Sequence, residues 1–414
     1  MTPAVVVSGL GCVGPFGVGA EALARGWRGG IAPIEIDRSA GFHRPGAARR
    51  ALAAADLDLA VLVPGNLARR MSPPARFAVA ATRLALADAG LAGLDAEAHA
   101  TTAVVVGTAF GPASVTEQLV SQIFRQGPEN VSPALFTESV ASASAAQIAL
   151  VFKTRGPSLA ITEREASDLL ALAEGARLVA SGAAERALVV VVDEMVPLLH
   201  AVLGRFRALA RPERDGGERA RPFDRRRSGA LASEGATVVV LESEAAASRR
   251  GRAAYARLVA LARGFDPSAP GWDYGSGDEP LERTLARGLE RAGCAPGTIE
   301  LVVSGASGAV RGDRLEAAIL RRIFPEPTPV VAPKGALGGW GGGHLAAALL
   351  AASGRALGPT SGFEEVDPEL GIRPAAAAEL PARPARTLVS SLASGGAAAW
   401  LVLEGGQPAP AAPV

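Results

Sequence analysis

The sequence predicts an α/β protein with a largely buried sheet and a duplicated architecture. Short apolar segments, which are typical of buried strands, alternate with longer segments whose apolar residues recur at helical spacing. The segment AVVVSGLGCVG near the start of the chain is also similar to the segment ELVVSGASGAV near residue 300. Together these observations favour one α/β unit that is used twice.

The alternation can be followed through the first half of the chain, residues 1–250. Short apolar strand candidates and longer helical patterns follow one another there in this order: AVVVSGL, RFAVAATRLALADAGL, TAVVVGTAF, QIALVF, SLAIT, DLLALAEGARLVASG and RALVVVVDEM. The segment between residues 210 and 229 is rich in Arg, Gly and Pro, so we expect a solvated loop there.

The second half, residues 251–405, repeats the theme, and we place the seam between the halves near residues 245–255. Its segments are ATVVVLE, LERTLARGLERAG, ELVVSGAS, RLEAAILRRIF, HLAAALLAASG and AAAWLVLE. The last residues, 406–414, are of low complexity, and we expect them to be disordered.

Composition limits the classes of function. The chain has 42 basic and 41 acidic residues, and its formal charge of +1 gives no basis for bulk nucleic-acid binding. No segment reaches the roughly 18 uncharged apolar residues of a membrane span. The apolar run at the N-terminus has no basic region before it, so we do not interpret it as a signal peptide. We therefore expect a cytoplasmic protein. Two cysteines and four scattered histidines predict neither a disulfide framework nor a metal site.

The motif GLGCVG, Gly9 to Gly14, matches the Gly-x-Gly-x-x-Gly pattern of dinucleotide-binding folds, and Glu35 and Asp37 follow a little over 20 residues later. That fold needs a helix that begins within the motif, so that the helix N-terminus holds the pyrophosphate. Here Pro15 follows at once, and helical residues begin only near Glu21. We therefore interpret the motif as a Gly-rich loop and expect no nicotinamide or other cofactor.

The stretch SLAITEREASDLLALAEGARL, Ser158 to Leu178, has the pattern of a nucleophile site without a nucleophile. An apolar strand candidate ends in a polar turn, Thr162 to Glu165, and a helical pattern follows. Strand, tight turn and helix lift one side chain to a helix N-terminus, where the dipole favours a thiolate or an oxyanion. Glu165 occupies that place in this chain.

Taken together, the pieces resemble a β-ketoacyl synthase of the thiolase fold from about residue 4 to about residue 405. The segments similar to that family are VVVSGLGCVGPFGVGAEALARGWRGG, RRMSPPARFAVAATRLALADAGL, GPENVSPALFTESVASASAAQIALVFKTRGPSLAIT and RPFDRRRSGALASEGATVVVLE. The resemblance implies two duplicated halves in α/β/α/β/α layers.

The condensation chemistry of that family needs a cysteine nucleophile and two histidines. A thiolate attacks the acyl thioester, and positioned donors stabilise the enolate that decarboxylation leaves. By resemblance, Glu165 stands at the cysteine position, Ser304 and Gly339 stand at the two histidine positions, and Lys334 is retained. Ser394 replaces the phenylalanine of the late gating loop. No catalytic set is intact, so we expect no condensation by this chain alone.

The resemblance extends to a non-catalytic sub-family, the chain length factor or ketosynthase β of type II polyketide synthases, although that sub-family usually carries Gln where this chain has Glu165. It implies a heterodimer with a catalytic ketosynthase, contact with an acyl carrier protein, and an acyl tunnel used in polyketide or polyene elongation. The alternative is an enzyme that decarboxylates malonyl carriers and uses Glu165. The Arg-rich segment 210–229 is an alternative candidate for docking the acidic carrier.

By resemblance, the gating helix of the tunnel is PASVTEQLVSQIFRQG, Pro112 to Gly127, and its tunnel-facing residues are Ala113, Thr116 and Val120. Their spacing of three and four places them on one helical face, which also fits residues that simply face the core. Aromatic polyketide members often have bulky aromatic residues there. The smaller side chains predict a deeper, straighter tunnel that suits a long acyl or polyene chain.

Two interpretations of Glu165 stay open. It could act as a base or mimic the carboxylate of malonate. It could instead be one half of an ion pair that closes the pocket, with Lys334 as the expected partner and Arg164 as the local alternative. We favour the ion pair, because such networks often occupy these sites without catalysis.

Overall fold

The computed structural model describes residues 3–54, 57–93, 96–324 and 328–406. The strands are β1 (Val5–Gly14), β2 (Gly17–Val18), β3 (Ile34–Glu35), β4 (Arg50–Leu52), β5 (Thr102–Gly107), β6 (Ser158–Ile161), β7 (Arg186–Asp193), β8 (Ala232–Ser233), β9 (Gly235–Ser243), β10 (Ala256–Phe265), β11 (Leu301–Val303), β12 (Val330–Val331), β13 (Arg386–Leu392) and β14 (Ala397–Gly405).

The α-helices connect these strands on both faces of the sheet. They are α1 (Ala20–Gly29), α2 (Gly65–Ala68), α3 (Pro73–Asp88), α4 (Ala96–His99), α5 (Ala113–Gln126), α6 (Pro133–Glu138), α7 (Ala143–Phe152), α8 (Ser167–Ala180), α9 (Pro197–Arg205), α10 (Glu244–Arg249), α11 (Asp278–Arg291), α12 (Val310–Ile323), α13 (Lys334–Leu337) and α14 (Gly341–Ala352). No helix within the described part of the chain is long and apolar enough to cross a membrane.

The main sheet contains the same arrangement of five strands twice. Its order is β12-β11-β13-β14-β10-β1-β9-β7-β5-β6. In each half the first strand is antiparallel to the fifth, the fifth is antiparallel to the fourth, and the fourth, second and third are parallel. The halves meet where β1 pairs with β10. The duplication expected from the sequence is therefore present, but the two similar segments are not equivalent strands, because AVVVSGLGCVG forms the first strand of its half and ELVVSGASGAV forms the second strand of the other.

A shared helical layer lies between the two halves of the sheet. Helices α8 and α14 pack in one buried cluster with side chains from both halves, such as Val105 and Val189 from the first and Val303 and Val389 from the second. Helix α3 covers the other face of the first half, and α11 and α12 cover the other face of the second. Strands covered on both faces need continuous apolar sequence, which explains the Val-rich runs. The layers are therefore α/β/α/β/α.

Two details differ from the sequence prediction. The short apolar run QIALVF forms the end of helix α7 rather than a strand. ATVVVLE, which we counted with the second half, lies in β9, the fifth strand of the first half. The expected boundary near residues 245–255 falls at α10 and the turn after it, and it stays a prediction. Residues 407–414 of the expected disordered tail lie outside the described residues, whereas the Gly406 N–H donates to the Tyr255 carbonyl at 3.0 Å.

The motif Gly9–Gly14 is entirely strand, because β1 runs through it and α1 begins only at Ala20. A side chain at Gly11 would lie 2.1 Å from the Ala81 carbonyl oxygen of α3, so this glycine allows strand and helix to pack closely. The motif is thus a packing feature and not a phosphate-binding turn.

The Arg-rich segment 210–229 contains no helix, as expected, but it is not a solvated loop. Asp224 is fully buried, and Arg221 is 3% exposed. Arg221 pairs with Glu213 at 2.7 Å, and Arg227 pairs with Asp367. The expectation of a solvated loop is wrong for residues 220–224 and 227, which are buried, whereas residues 214–216 and 225–226 are exposed as expected. The buried Arg227 pairs with an acidic residue from a distant part of the chain.

Candidate functional site

A strained turn between β6 and α8 positions Glu165. A 3-10 turn covers Arg164–Ala166, and α8 begins directly after it at Ser167. Arg164 has φ of 48°, an uncommon value for a residue with a side chain. The Ser167 hydroxyl accepts a bond from the Glu163 N–H at 2.8 Å and donates to the Thr108 carbonyl at 3.0 Å. The predicted strand, tight turn and helix are therefore present, with Glu165 at the helix start.

The Glu165 carboxylate is held by donors from the loop of Ser394. The Ser394 N–H donates to Glu165 Oε2 at 3.0 Å, and the Ser394 hydroxyl donates to the same atom at 3.1 Å. Tyr274 is buried near this carboxylate, and burial together with the charge of Glu165 raises the pKa of Tyr274 well above its usual value. The Glu165 carbonyl accepts from the Ser391 hydroxyl at 2.6 Å. The site is closed by hydrogen bonds.

The expected ion pair of Glu165 is wrong. Within the described residues, no cationic side chain lies within 4.0 Å of the Glu165 carboxylate, so neither Lys334 nor Arg164 pairs with it. Arg164 instead donates to the Gly271 carbonyl at 2.8 Å and to the Ser394 hydroxyl at 3.5 Å. Neutral donors replace the cation because the loop of Ser394 already covers the carboxylate.

Ser304 and Lys334 gather around a second buried carboxylate, Glu316. The Ser390 hydroxyl donates to Glu316, and the Ser304 hydroxyl lies near the same carboxylate. Burial raises the pKa of Glu316, and these hydroxyls together with the nearby charges of His344 and Lys334 partly offset that rise. Because Ser390 and Ser391 are adjacent on β13, the surroundings of Glu165 and of Glu316 are joined through one strand end.

Gly339 lies in the loop between α13 and α14, and its N–H donates to the Leu231 carbonyl at 2.8 Å. A Cβ added there would meet its nearest atom, the Leu231 carbonyl oxygen, at 3.4 Å, which is ordinary contact. The position therefore has room for a small side chain but supplies no donor from one. Neither Gly339 nor Ser304 can perform the role of an imidazole.

His344 and Asp168 form a buried pair that the sequence interpretation missed. His344 Nδ1 lies 3.1 Å from Asp168 Oδ2, and His344 Nε2 lies 3.3 Å from the Val303 carbonyl. Both side chains are fully buried. A histidine where the resemblance expects a small residue, with an aspartate three residues after Glu165, was the available signal. The pair joins α14 to the start of α8 beneath the site.

The three predicted tunnel residues lie together on an open groove between α5 and α9. The groove has a volume of about 540 Å³ and is lined by Phe42, Phe110, Ala113, Thr116, Glu117, Val120, Ser121, Phe124, Arg125, Val196, Leu198, Leu199 and Val202. The core-facing alternative does not describe this face, because Val115 is the buried residue of α5 and Val120 is 42% exposed. That the groove forms part of an acyl tunnel stays a prediction.

Most of the groove was not predicted from the sequence. Its second wall comes from α9, and its aromatic side chains come from other elements and from the end of α5. The expectation of a deeper, straighter tunnel considered only the small residues of α5. The same groove is also lined by the bulky aromatic side chains of Phe42, Phe110 and Phe124.

An exposed apolar surface continues beside the groove. Strand β6 is the last strand on its side of the sheet and pairs only with β5 among the strands of the described chain, so its outer edge is open. The exposed large apolar residues of this surface lie on consecutive elements between α5 and β6: Ile123, Phe124, Phe136, Val140, Leu150 and Leu159. Open strand edges and contiguous apolar patches are typical of protein interfaces.

The position of Glu165 is enclosed by hydrogen bonds, and it has neither the thiolate nor the imidazoles that acyl transfer in this family uses. Both cysteines are buried away from Glu165, and burial raises the pKa of Cys12 to about 12, so Cys12 is not a thiolate at neutral pH. No group of three or more metal-ligating side chains occurs within the described ranges. What remains accessible is the groove, the apolar surface and the edge of β6.

Known proteins resemble this chain over nearly its whole length. Residues 2–247 match the family model described as "Beta-ketoacyl synthase, N-terminal domain". A protein of Streptomyces halstedii whose name contains "polyketide beta-ketoacyl synthase 2" is 31% identical over 409 residues, which are 97% of each chain. The "Tetracenomycin polyketide synthase ketoacyl synthase beta subunit" of Streptomyces glaucescens is 29% identical over 381 residues, 89% of this chain and 90% of that one.

A solved structure titled "The ishigamide ketosynthase/chain length factor" is also similar. It superposes with a TM-score of 0.83 at 25% identity and covers 98% of this chain and 100% of that chain. Sequence and structure thus lead to the same set of relatives, and the fold class expected from the sequence is confirmed.

Proposed function

We propose, since this chain belongs to the β-ketoacyl synthase family, that it serves as the non-catalytic partner subunit of a catalytic ketosynthase. In this role it is a chain length factor, or ketosynthase β, of type II polyketide or polyene elongation. The condensation is then carried out by the partner, and this chain contributes a wall of the acyl tunnel.

The observation that carries this proposal is the closed state of the nucleophile position. Glu165 occupies the turn where a thiolate would attack, and the N–H and the hydroxyl of Ser394 donate to its carboxylate beside the buried Tyr274. A bound carboxylate at that place disfavours a developing enolate by charge repulsion. These contacts also give no support to Glu165 as a decarboxylating base, because they hold the carboxylate against the loop of Ser394.

The groove supplies what a tunnel-forming subunit needs. It is mainly apolar and lies on α5, the helix that the family resemblance identifies as gating. Apolar walls with a few polar groups are typical of sites for small apolar ligands, and about 540 Å³ falls within the usual range of such sites. In the isolated chain the groove is open on one side, which suits a wall that a second subunit completes.

The open edge of β6 and its apolar neighbours support the heterodimer. An unpaired strand edge can extend its sheet with a strand of another chain, and the exposed apolar residues of α5 to α7 would be buried beside it. The relatives whose names contain "synthase 2" or "beta subunit" are in line with a second, partnered chain. Contact with an acyl carrier protein and a cytoplasmic location belong to the same proposal.

The test is co-expression with the ketosynthase encoded beside this gene, followed by native mass measurement and an elongation assay with malonyl-loaded carrier protein. We expect a one-to-one complex that elongates malonyl units only when both chains are present. A stable homodimer that releases carbon dioxide from malonyl carrier without a partner would overturn the proposal.

A matched pair of variants tests the interface itself. Leu159→Arg places a charge on β6, and Val61→Arg places the same charge on a side chain that is 91% exposed and lies outside the interface elements. We expect the first to weaken the complex and the second to leave it intact. Equal affinities for the two variants would argue against an interface at β6.

A further inference from the structure

Two histidines are in contact behind the second wall of the groove. His43 Nε2 lies 3.0 Å from His200 Nδ1, and the two ring centroids are 5.2 Å apart. His200 is fully buried on α9, and its Nε2 lies 3.2 Å from the Arg50 carbonyl at β4. One fixed imidazole therefore contacts both a strand and the loop that carries His43.

The contacts fix the proton positions of both rings. A carbonyl only accepts, so His200 Nε2 carries the hydrogen that bonds to Arg50, and His200 Nδ1 is left as an acceptor. His43 Nε2 must then be the donor of the bond between the rings. His43 Nδ1 is buried without a hydrogen-bond partner in the structure, which favours a neutral ring. Burial lowers the pKa of both histidines.

The loop that carries His43 has few other attachments. Residues 37–47 lie between β3 and β4 and contain no helix or strand. Their other hydrogen bonds, such as those from Gly41 to Arg38 and from Ala47 to Arg44, stay within the loop. Among the described residues, the bond between His43 and His200 is the one hydrogen bond that joins this segment to the rest of the chain.

The residue next to His43 in the loop, Phe42, lines the same groove as Ala113, Thr116 and Val120 of α5. On the other wall, Leu199 lines the groove and is the chain neighbour of His200. The position of the Phe42 ring therefore depends on the contact between the two imidazoles. A shift of this loop would change the free width of the groove.

We propose that Phe42 limits the length of the acyl chain and that His43 and His200 are positioning residues that hold its ring in the groove. This inference rests on the proposed function, because it assigns residues to the tunnel of that complex. It adds a length-determining contact on a loop that lies outside the gating helix.

The experiment uses the reconstituted complex with the catalytic ketosynthase and measures the length distribution of its products. The variants are Phe42→Ala, His43→Leu, His43→Gln and the double variant Phe42→Ala with His43→Leu. Phe206→Ala is the matched control, because Phe206 is 58% exposed and does not line the groove. Gln can donate one hydrogen bond to His200 Nδ1, whereas Leu cannot.

We expect Phe42→Ala to shift the main product by at least one two-carbon unit towards longer chains, and Phe206→Ala to leave it unchanged. His43→Leu is expected to shift it in the same direction, His43→Gln to restore the wild-type length, and the double variant to match Phe42→Ala. The inference is overturned if Phe42→Ala behaves like Phe206→Ala. An added shift from His43→Leu in the Phe42→Ala background, or equal effects of Leu and Gln, overturns the positioning role.

The wild-type complex separates failure of this inference from failure of the proposed function. If the wild-type chains do not elongate together, the proposed function fails. If they elongate together and Phe42→Ala has no effect on length, this inference alone fails.

Discussion

The Ser394 N–H donates to Glu165 Oε2 at 3.0 Å, and the Ser394 hydroxyl donates to the same oxygen. By resemblance, Glu165 stands at the nucleophile position and Ser394 at the aromatic position of the gating loop. Two departures from the family pattern thus meet in one contact. A phenylalanine at 394 would have no side-chain donor for this carboxylate. The serine at 394 therefore complements the glutamate at 165.

Removal of the Glu165 carboxylate should destabilise the protein more than its neutralisation does. Glu165→Ala leaves the N–H and the hydroxyl of Ser394 without their acceptor, at an expected cost of about 1–3 kcal/mol. Glu165→Gln keeps one carbonyl oxygen in place and should cost less. Urea denaturation of both variants at one protein concentration checks this order. Equal losses would mean that the hydrogen bonds contribute little.

Asp224 should be among the most sensitive residues of the Arg-rich segment. It is fully buried and accepts the N–H groups of Arg226, Glu364 and Glu365 at 2.6–2.7 Å. Asp224→Ala leaves these donors unpaired, with an expected loss of about 3 kcal/mol or more in the free energy of unfolding. Arg225→Ala, which removes an exposed ion pair with Glu365, should cost less than about 1 kcal/mol. Similar losses of unfolding free energy for the two variants in denaturant titrations would contradict the conclusion that buried Asp224 stabilises this segment.

Two adjacent glycines should differ in their tolerance of alanine. Gly338 has φ of 79°, and a Cβ there would lie 2.4 Å from the Ser233 Cβ. Gly339 is free of that strain, and its nearest contact would be at 3.4 Å. Gly338→Ala should lower stability by about 1–3 kcal/mol, whereas Gly339→Ala should change it by less than about 1 kcal/mol. Thermal unfolding of the two variants measures this difference. A larger loss of stability for Gly339→Ala than for Gly338→Ala would contradict the prediction.

The stability of the chain should depend on pH through Asp313. Burial raises the pKa of Asp313 to about 7, although the Phe223 and Ser307 N–H groups donate to it. The folded state therefore keeps a proton that the unfolded chain releases near pH 4. The stabilisation from that proton is complete below about pH 4 and is lost as pH rises to about 7.

Asp313→Asn lacks this titration. The unfolding free energy of the wild type minus that of Asp313→Asn should therefore fall between pH 5 and pH 8, as measured by urea titrations at each pH. A difference that stays constant or rises over this range would show that Asp313 is already ionised in the folded protein at pH 5.

Much of the architecture could be predicted because it depends on the spacing of apolar residues within short segments of the sequence. The Val-rich runs of β5, β7 and β9 have one reasonable place, inside a sheet covered on both faces. QIALVF was ambiguous, because a six-residue apolar run fits a buried strand and a buried helix equally well. The Arg-rich segment was misjudged for a different reason, since its partners Glu364 and Asp367 lie about 140 residues away.

In the site, too, the features that are local in sequence could be predicted, and those that depend on distant residues could not. The strand, turn and helix that place Glu165 are consecutive in sequence, and the helical spacing of Ala113, Thr116 and Val120 is also local. The predicted partner of Glu165 was wrong because Ser394, which donates to its carboxylate, lies more than 200 residues away in the chain. Phe42 was missed because nothing in its own loop indicates that the loop folds back against α9. Tertiary contacts of this kind leave no periodic signal in one sequence.

The central claim is that this chain shapes the product without taking part in the chemistry. The measurement that tests it most directly is the length and rate of product formed by the reconstituted complex carrying Val120→Phe or Glu165→Ala. Gln118→Phe is the control for Val120→Phe, because Gln118 lies on the same helix and does not line the groove.

We predict that Val120→Phe shortens the main product by at least one two-carbon unit and that Gln118→Phe does not. Glu165→Ala should leave the elongation rate within about threefold, a change of less than about 0.7 kcal/mol in the barrier. Loss of elongation with Glu165→Ala, together with an unchanged product length with Val120→Phe, would contradict the account and assign the chemistry to Glu165.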